Sequence, residues 1–197
     1  MAGNLANNDF KNYRSVLEAD HFEGQQSSPT ILATASQTEI GPSWVIGGVE
    51  ANRFYNQFIS LLLTGSFNRE AMLRALRDLV NMHMVLKTTF NADGENIVYS
   101  ELALDINYQD LSSQLPDQQR LFIKRHQKLT ILKSFDLEKG PLFKVSLFNL
   151  NNEEHYLTFV AHPIICDERS IGIMMKDLVK LYSNYAPSRI KQNAFVL

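Results

Sequence analysis

The sequence lacks the features that mark disulfide-linked and membrane-spanning proteins. Its one cysteine, Cys166, excludes an internal disulfide and agrees with a reducing compartment. No apolar run approaches the roughly 20 residues that span a bilayer. The residues before Thr30 are polar and do not have the pattern of a cleavable signal. We therefore expect no membrane association and predict a cytoplasmic protein.

The sequence also lacks a strong excess of charge of either sign. Nineteen lysine and arginine residues are balanced by twenty-one aspartate and glutamate residues, which gives a formal net charge of −2. No long basic block is present to follow a phosphate backbone, so nucleic acid is not an expected partner. Neither GxGxxG nor GxxxxGK occurs, and the five histidines are dispersed. Hence no nucleotide cofactor and no metal site is predicted.

The composition is that of a globular protein with a sizeable core. Hydrophobic residues make up 45% and charged residues 20% of the 197 residues. Residues 1–29 are rich in Asn and Gln and are predicted to form a partly ordered N-terminal arm. Residues 30–185 carry the apolar patterns of a folded lobe, and residues 186–197 are predicted to be a C-terminal tail.

Periodic apolar positions predict alternating strands and helices. After a first strand near Thr30, the run Arg53–Gly65 is typical of a buried strand. Asn68 is then placed to cap a well-patterned helix. Asp93-Gly94 favours a tight turn between two short strands. A second helix is predicted from about 117 to 132, with an apolar pattern too uneven to set its register.

The second half of the chain continues this alternation. The segment PLFKVSLFNLNNEEHYLTFVAH predicts two antiparallel strands joined by a polar connection. The segment RSIGIMMKDLVKLYSNY has apolar residues at helical spacing. The order of elements predicts an α/β (α+β) sandwich, in which helices flank a mixed, largely antiparallel sheet.

Three sequence motifs of known pattern lie along this order of elements. MHMVLKTTF, Met82–Phe90, echoes RHExLRTxF and keeps His83, with Lys87 in the place of the Arg. FDLEKGPL, Phe135–Leu142, matches FDLxxGPL. HPIICDERS, His162–Ser170, falls on HHxxxDGxS. Together with the order of elements, these motifs resemble the condensation domains of nonribosomal peptide synthetases, members of the chloramphenicol-acetyltransferase-like superfamily.

The resemblance covers residues 30–185 and only the first of the two similar lobes of such a domain. It implies a single, truncated lobe of a chloramphenicol-acetyltransferase-like fold. A fourth family motif, SxAQxRLW, is matched only weakly at Gly41–Trp44. In the family the active site lies between the lobes, and a carrier protein bearing phosphopantetheine presents the acyl group. The implied partner is therefore a carrier protein or another assembly-line protein, and the chain needs no cofactor of its own.

The signature residue that the family ties to catalysis is its second histidine, and here that position is Pro163. Proline has neither a titratable group nor a backbone N–H, so it cannot act as a base or orient an amine. Glu168 replaces the family's permissive glycine and would crowd a pantetheine arm. No catalytic residue is therefore predicted, and the degenerate motif consists of His162, Pro163, Asp167 and Glu168.

The retained motif residues have more than one interpretation. In the family the motif Asp is structural and pairs with an Arg, which predicts a structural pair between Lys87 and Asp167. The alternative is that Asp167 caps the helix that follows. His162 matches the structural histidine of the signature. Its alternative roles are a base in the place of Pro163, or the partner of a Cys166 nucleophile.

These observations lead to two main hypotheses, and a small-molecule-binding lobe unrelated to assembly lines is a third alternative. The first is a noncatalytic, truncated condensation-like domain of a nonribosomal peptide or hybrid polyketide assembly line, which acts as a scaffold, docking or dimerisation module. The second is half of a condensation or acyltransferase site, completed by a second lobe, a partner chain or a homodimer, that joins carrier-bound acyl groups to an amine or alcohol. In both, the face that would meet the second lobe is an expected interface.

Overall fold

The computed structural model describes residues 56–91, 95–99, 102, 104–186 and 191–195, the last range as backbone only. In chain order the elements are β1 (Gln57–Thr64), α1 (Arg69–Met82), a 3-10 turn (Met84–Lys87), β2 (Thr88–Phe90), β3 (Asn96–Val98), β4 (Ile106–Asp110), α2 (Pro116–Ile131), β5 (Phe143–Asn149), β6 (Glu154–Ala161), α3 (Glu168–Tyr185) and β7 (Lys191–Phe195). The predicted N-terminal arm, the strand near Thr30, the weak Gly41–Trp44 motif and the Asp93-Gly94 turn lie outside the described residues.

A five-stranded sheet with the order β4-β5-β6-β1-β7 forms the centre of the fold. β6 lies antiparallel between β5 and β1, β7 is antiparallel to β1, and β4 is parallel to β5. β2 and β3 form a separate antiparallel hairpin. The predicted mixed, largely antiparallel sheet with flanking helices is thus confirmed. Among the described residues, no helix has the length and apolarity needed to cross a membrane.

One face of the sheet is apolar. Side chains alternate along a strand, so Leu61, Leu157 and Leu147, which are in register across β1, β6 and β5, share a face. Helices α1 and α3 cover it, and their buried leucines, including Leu79 and Leu178, join the same core cluster. Burial of this large apolar surface is the main source of stability.

The opposite face of the sheet carries a polar row. Ser60, Thr158, Ser146 and Asn107 are in register across β1, β6, β5 and β4. Helix α2 packs over this row, and the side chain of buried Gln127 donates to Ser60 Oγ at 2.9 Å. Because part of its contact face is polar, α2 has only a weak apolar periodicity, which explains why the sequence left its register uncertain.

Asn68 caps the start of α1 and also connects this helix to α3. Asn68 Oδ1 accepts the Ala71 N–H at 3.0 Å, which confirms the predicted cap of α1. The Asn68 N–H donates to Tyr182 Oη on α3 at 2.8 Å. A single residue therefore begins one helix and binds it to the other.

Two strands were not predicted from the sequence. β4 has only five residues with a weak alternation, and it lies parallel to β5 through the α2 crossover. β7 falls within residues 186–197, where a tail was predicted, and this prediction missed the pairing of Lys191–Phe195 with β1. Backbone hydrogen bonds to the open edge of β1 order a segment whose polar sequence gives little strand signal.

Candidate functional site at the β6–α3 turn

The HPIICDERS segment forms a tight turn between the end of β6 and the start of α3. The His162 N–H donates to Leu142 O at 2.8 Å and so continues the pairing of β6 with β5. The Ile165 N–H donates to His162 O at 3.1 Å and closes a four-residue turn. Pro163 is at the second position of this turn, where its restricted φ is favourable. Proline therefore fits the backbone at the position where the family has a catalytic histidine.

His162 is a buried, structural side chain. It is 2% exposed, and its Nδ1 accepts the Ile164 N–H at 3.1 Å. The ring of Phe135 stands edge-on to it, with 6.3 Å between the centroids. Burial lowers the pKa of His162 to about 4. The imidazole is therefore neutral near pH 7, and the nitrogen that would accept a proton is already bonded to the backbone of the turn.

Cys166 does not have the properties of a nucleophile. Its thiol is buried, and burial, with a smaller contribution from the Asp167 carboxylate, raises the pKa of Cys166 to about 12. A nucleophilic cysteine instead needs a lowered pKa and some access to substrate. The environment of the thiol thus disfavours the Cys–His arrangement considered from the sequence.

Asp167 caps α3. Its side chain accepts the Ser170 N–H at 2.7 Å. Hydrogen bonding by the Ser170 side chain, followed by this backbone N–H, lowers the pKa of the Asp167 carboxyl group. Glu168 is exposed in the first turn of α3, where a negative charge faces the positive end of the helix dipole. The structure thus agrees with the interpretation of Asp167 as the N-cap of α3. Lys87 is half-buried at the end of the 3-10 turn, and its pairing with Asp167 stays a prediction.

The three sequence motifs pack against one another. Phe90 ends MHMVLKTTF, and its N–H donates to Leu137 O in FDLEKGPL at 2.8 Å. FDLEKGPL in turn contacts the turn through Leu142 O and the Phe135 ring. The motifs therefore form one continuous framework, although they are far apart in the sequence.

His83, the motif histidine of the first of these segments, contacts the last helix. Its Nε2 lies 3.1 Å from Asp177 Oδ2 on α3. The contact ties the end of α1 to α3 near the surface. The sequence gave no indication of this partner, because the two residues are 94 positions apart.

Lys144 is a titratable residue near the turn that sequence reasoning missed. It lies on β5, and its Nζ is 5.5 Å from the centroid of the Phe135 ring. Burial, followed by repulsion from Lys133, lowers the pKa of Lys144 to about 8. The strand alternation of FKVSLFN, with a single charge among apolar residues, was the signal that could have identified it.

The fold and the turn define a class: an α/β lobe in which helices flank a mixed sheet, with a turn similar to HHxxxDGxS in which Pro163 occupies the second position. Comparison with known proteins identifies the family within that class. The condensation-domain family model matches residues 34–193. The chain therefore belongs to the condensation-domain family, and the resemblance recognised from the sequence motifs is confirmed.

Relatives of known name agree with this membership. The chain is 30% identical over 193 residues to bacitracin synthase 1 of Bacillus licheniformis, with 89% of this chain and 4% of that protein covered. It is 30% identical over 138 residues to chondramide synthase of Chondromyces crocatus, with 68% of this chain and 4% of that protein covered. The chain thus spans only a small part of the length of these relatives.

Solved structures show the same fold. The starter condensation domain of rhizomide synthetase matches with a TM-score of 0.71 and 20% identity, over 81% of this chain and 40% of that chain. The tallysomycin biosynthesis protein TlmII matches with a TM-score of 0.68 and 21% identity, over 80% of this chain and 38% of that chain. This chain therefore corresponds to well under half of each solved chain.

Proposed function

We propose that this chain is a noncatalytic condensation-like lobe in a peptide or hybrid polyketide assembly line, acting as a scaffold, docking or dimerisation module. The observation that carries the proposal is Pro163 at the second histidine position of the signature. The neighbouring groups offer no replacement, because His162 is neutral and bonded to the turn and Cys166 is a buried thiol. The hydrogen bonds of His162 and the Asp167 cap still hold the backbone of the turn.

The partners of such a module are proteins of the assembly line. Its relatives include bacitracin synthase 1, a much longer protein than this chain. We place a carrier protein bearing phosphopantetheine, or another assembly-line protein, as the partner, and a cytoplasmic location follows from that role. Self-association as a homodimer is one form of the same proposal, since it would cover a lobe face with a second copy.

The test is an amide-forming assay with a carrier protein loaded with an acyl thioester and an amine acceptor. The purified chain is expected to give no product above the uncatalysed rate. His162→Asn serves as the matched variant, because its side-chain oxygen can still accept the Ile164 N–H while the imidazole is lost. Turnover by the natural chain that disappears in His162→Asn would overturn the noncatalytic proposal.

The second candidate is a half site that works when another lobe, a partner chain or a second copy completes it. Retention of the whole turn framework favours it, because positioning two tethered reactants contributes several kcal/mol by itself. A Pro163→His variant restores a histidine at the signature position. If the half site is real, this variant raises turnover in the reconstituted complex, and equal rates for Pro163→His and the natural chain would reject it.

A further inference from the structure

A groove runs along α2, between this helix and the β1 side of the sheet. It consists of two clefts of about 530 and 330 Å³, which share Lys124 and Gln127 as lining residues. Leu62 and Phe58 on β1 line its floor. The 16 residues of α2 give the groove a length of about 24 Å. These dimensions suit an elongated occupant, such as a helix.

The α2 side of the groove is cationic. Arg120, Lys124 and Lys128 follow one another at four-residue spacing, which places them on one side of a helix. All three side chains are exposed, and none takes part in an ion pair within the described part of the chain. Two carboxylates offset part of this charge. Asp117, in the first turn, is exposed on the same side of α2, and Glu154 lines the far end of the groove and accepts a hydrogen bond from Asn151 at 2.7 Å. The rim is therefore positive in a chain whose formal charge is −2.

Exposed leucines accompany these cations. Leu121 is 71% exposed, and Leu132, at the end of α2, is 41% exposed. At 100° per residue both point to the side of α2 that carries Lys124 and Lys128. Water-exposed leucines beside exposed cations, above an apolar floor, are typical of a surface that binds a partner.

We propose that this groove binds an acidic amphipathic helix of a partner protein. A helix with glutamates at four-residue spacing would place its carboxylates opposite Arg120, Lys124 and Lys128. Its adjacent apolar stripe would then contact Leu132 and the β1 floor. A nucleic acid fits less well, because the exposed leucines that flank the cationic row offer nothing to a phosphate backbone. The inference is independent of whether the β6–α3 turn supports chemistry.

The probe is a synthetic amphipathic helix of about 18 residues with glutamates at four-residue spacing beside a leucine stripe. Its binding to the full chain is measured by fluorescence anisotropy at low and at physiological salt. A peptide with lysine in place of each glutamate and a single-stranded oligonucleotide are the comparison ligands. The acidic peptide is expected to bind and to weaken as salt rises, because opposite charges face each other across the rim.

Two pairs of variants locate the binding on the groove. Lys124→Glu with Lys128→Glu reverses two rim charges and is expected to weaken binding by about tenfold or more. Its control is Arg77→Glu with Lys176→Glu, which reverses two exposed charges on α1 and α3, across the sheet from α2. Leu132→Ser, at a position that lines the groove, is expected to weaken binding, whereas Leu129→Ser, 64% exposed on another side of α2, is not. All of these positions are exposed, so circular dichroism should report the natural fold.

Comparison of the groove variants with their control variants decides whether the peptide binds in the groove. Loss of acidic-peptide binding in the groove variants but not in their controls supports the proposal. No binding of the acidic peptide at 1 mM, equal loss in groove and control variants, or preference for the lysine peptide would overturn it. Binding of the oligonucleotide without the acidic peptide would also overturn it and would assign the surface to a different ligand.

Discussion

At the scale of single residues, the replacement of a histidine by Pro163 is compatible with the turn that surrounds it. The turn is held by backbone bonds to His162 and by the Asp167 cap, and none of these uses the side chain at position 163. Proline favours the φ that the second position of such a turn requires. The side chain at position 163 can therefore change without loss of the turn, because other atoms form the hydrogen bonds that hold the turn.

Gly140 in FDLEKGPL is a residue for which the structure requires glycine. Its φ is +57°, and a β-carbon there would lie 2.7 Å from Thr89 Cγ2. We expect Gly140→Ala to lower the free energy of unfolding by on the order of 2 kcal/mol, from left-handed backbone strain and this steric contact. Urea unfolding measures the loss. Adding Thr89→Ser, which removes Cγ2, should recover part of it.

Gly172 in α3 provides the matched control for this substitution. No atom lies within 4 Å of a β-carbon placed there, and the residue is helical. Alanine is favoured over glycine in a helix by up to about 1 kcal/mol. Gly172→Ala should therefore leave stability unchanged or raise it. Equal losses for the two substitutions would mean that the conformation at Gly140 is not the cause.

At the scale of elements, α2 is positioned by polar contacts as well as by apolar packing. Gln127 Nε2 donates to Ser60 Oγ at 2.9 Å and lies 3.3 Å from Tyr156 Oη. We expect Gln127→Leu to cost about 1–2 kcal/mol, because the buried Ser60 hydroxyl then loses its donor. The variants Gln127→Leu, Ser60→Ala and their combination should show a coupling of about 1 kcal/mol in urea unfolding. Strictly additive effects would contradict a direct interaction.

The elements that the sequence predicted well are those whose apolar pattern matches their burial. α1 combines a capping Asn68 with a regular apolar face, and β5 and β6 are long strands with a polar connection, so each was found close to its position. β4 and β7 are short, and backbone pairing with β5 and β1 holds them in place. Backbone pairing does not require an alternating apolar pattern, so their sequences predict no strand.

The candidate site was predicted in part, for a similar reason. The turn was recognised from the sequence alone, because Pro163 and Asp167 occupy positions of the HHxxxDGxS signature. The contacts of the turn with Phe135 and the lowered pKa of Lys144 depend on segments that only the folded chain brings together. A pattern of residue types indicates which atoms are present, whereas burial and neighbours determine what those atoms can do.

At the scale of the whole molecule, burial disfavours the charged form of several histidines. Burial lowers the pKa of His126, of His155 and of His162. The unfolded chain binds protons at these groups near their ordinary pKa of 6.5, whereas the folded chain binds them at lower pH. Their contribution to stability is therefore fully present above pH 6.5 and decreases as the pH falls. For His162 the decrease ends near its folded pKa of about 4.

The pH dependence of the free energy of unfolding tests whether the lowered pKa of His162 makes the fold less stable in acid. From the two pKa values of His162, stability should fall by about 2 kcal/mol between pH 7 and pH 5 through this residue alone. His162→Asn has no titrating group and keeps an acceptor for the Ile164 N–H. We expect urea unfolding of His162→Asn to lose about this part of the pH dependence, with the remainder due to the other buried histidines. If the variant and the natural chain have the same slope between pH 7 and pH 5, His162 is not buried in its neutral form, and the structural role assigned to it would be wrong.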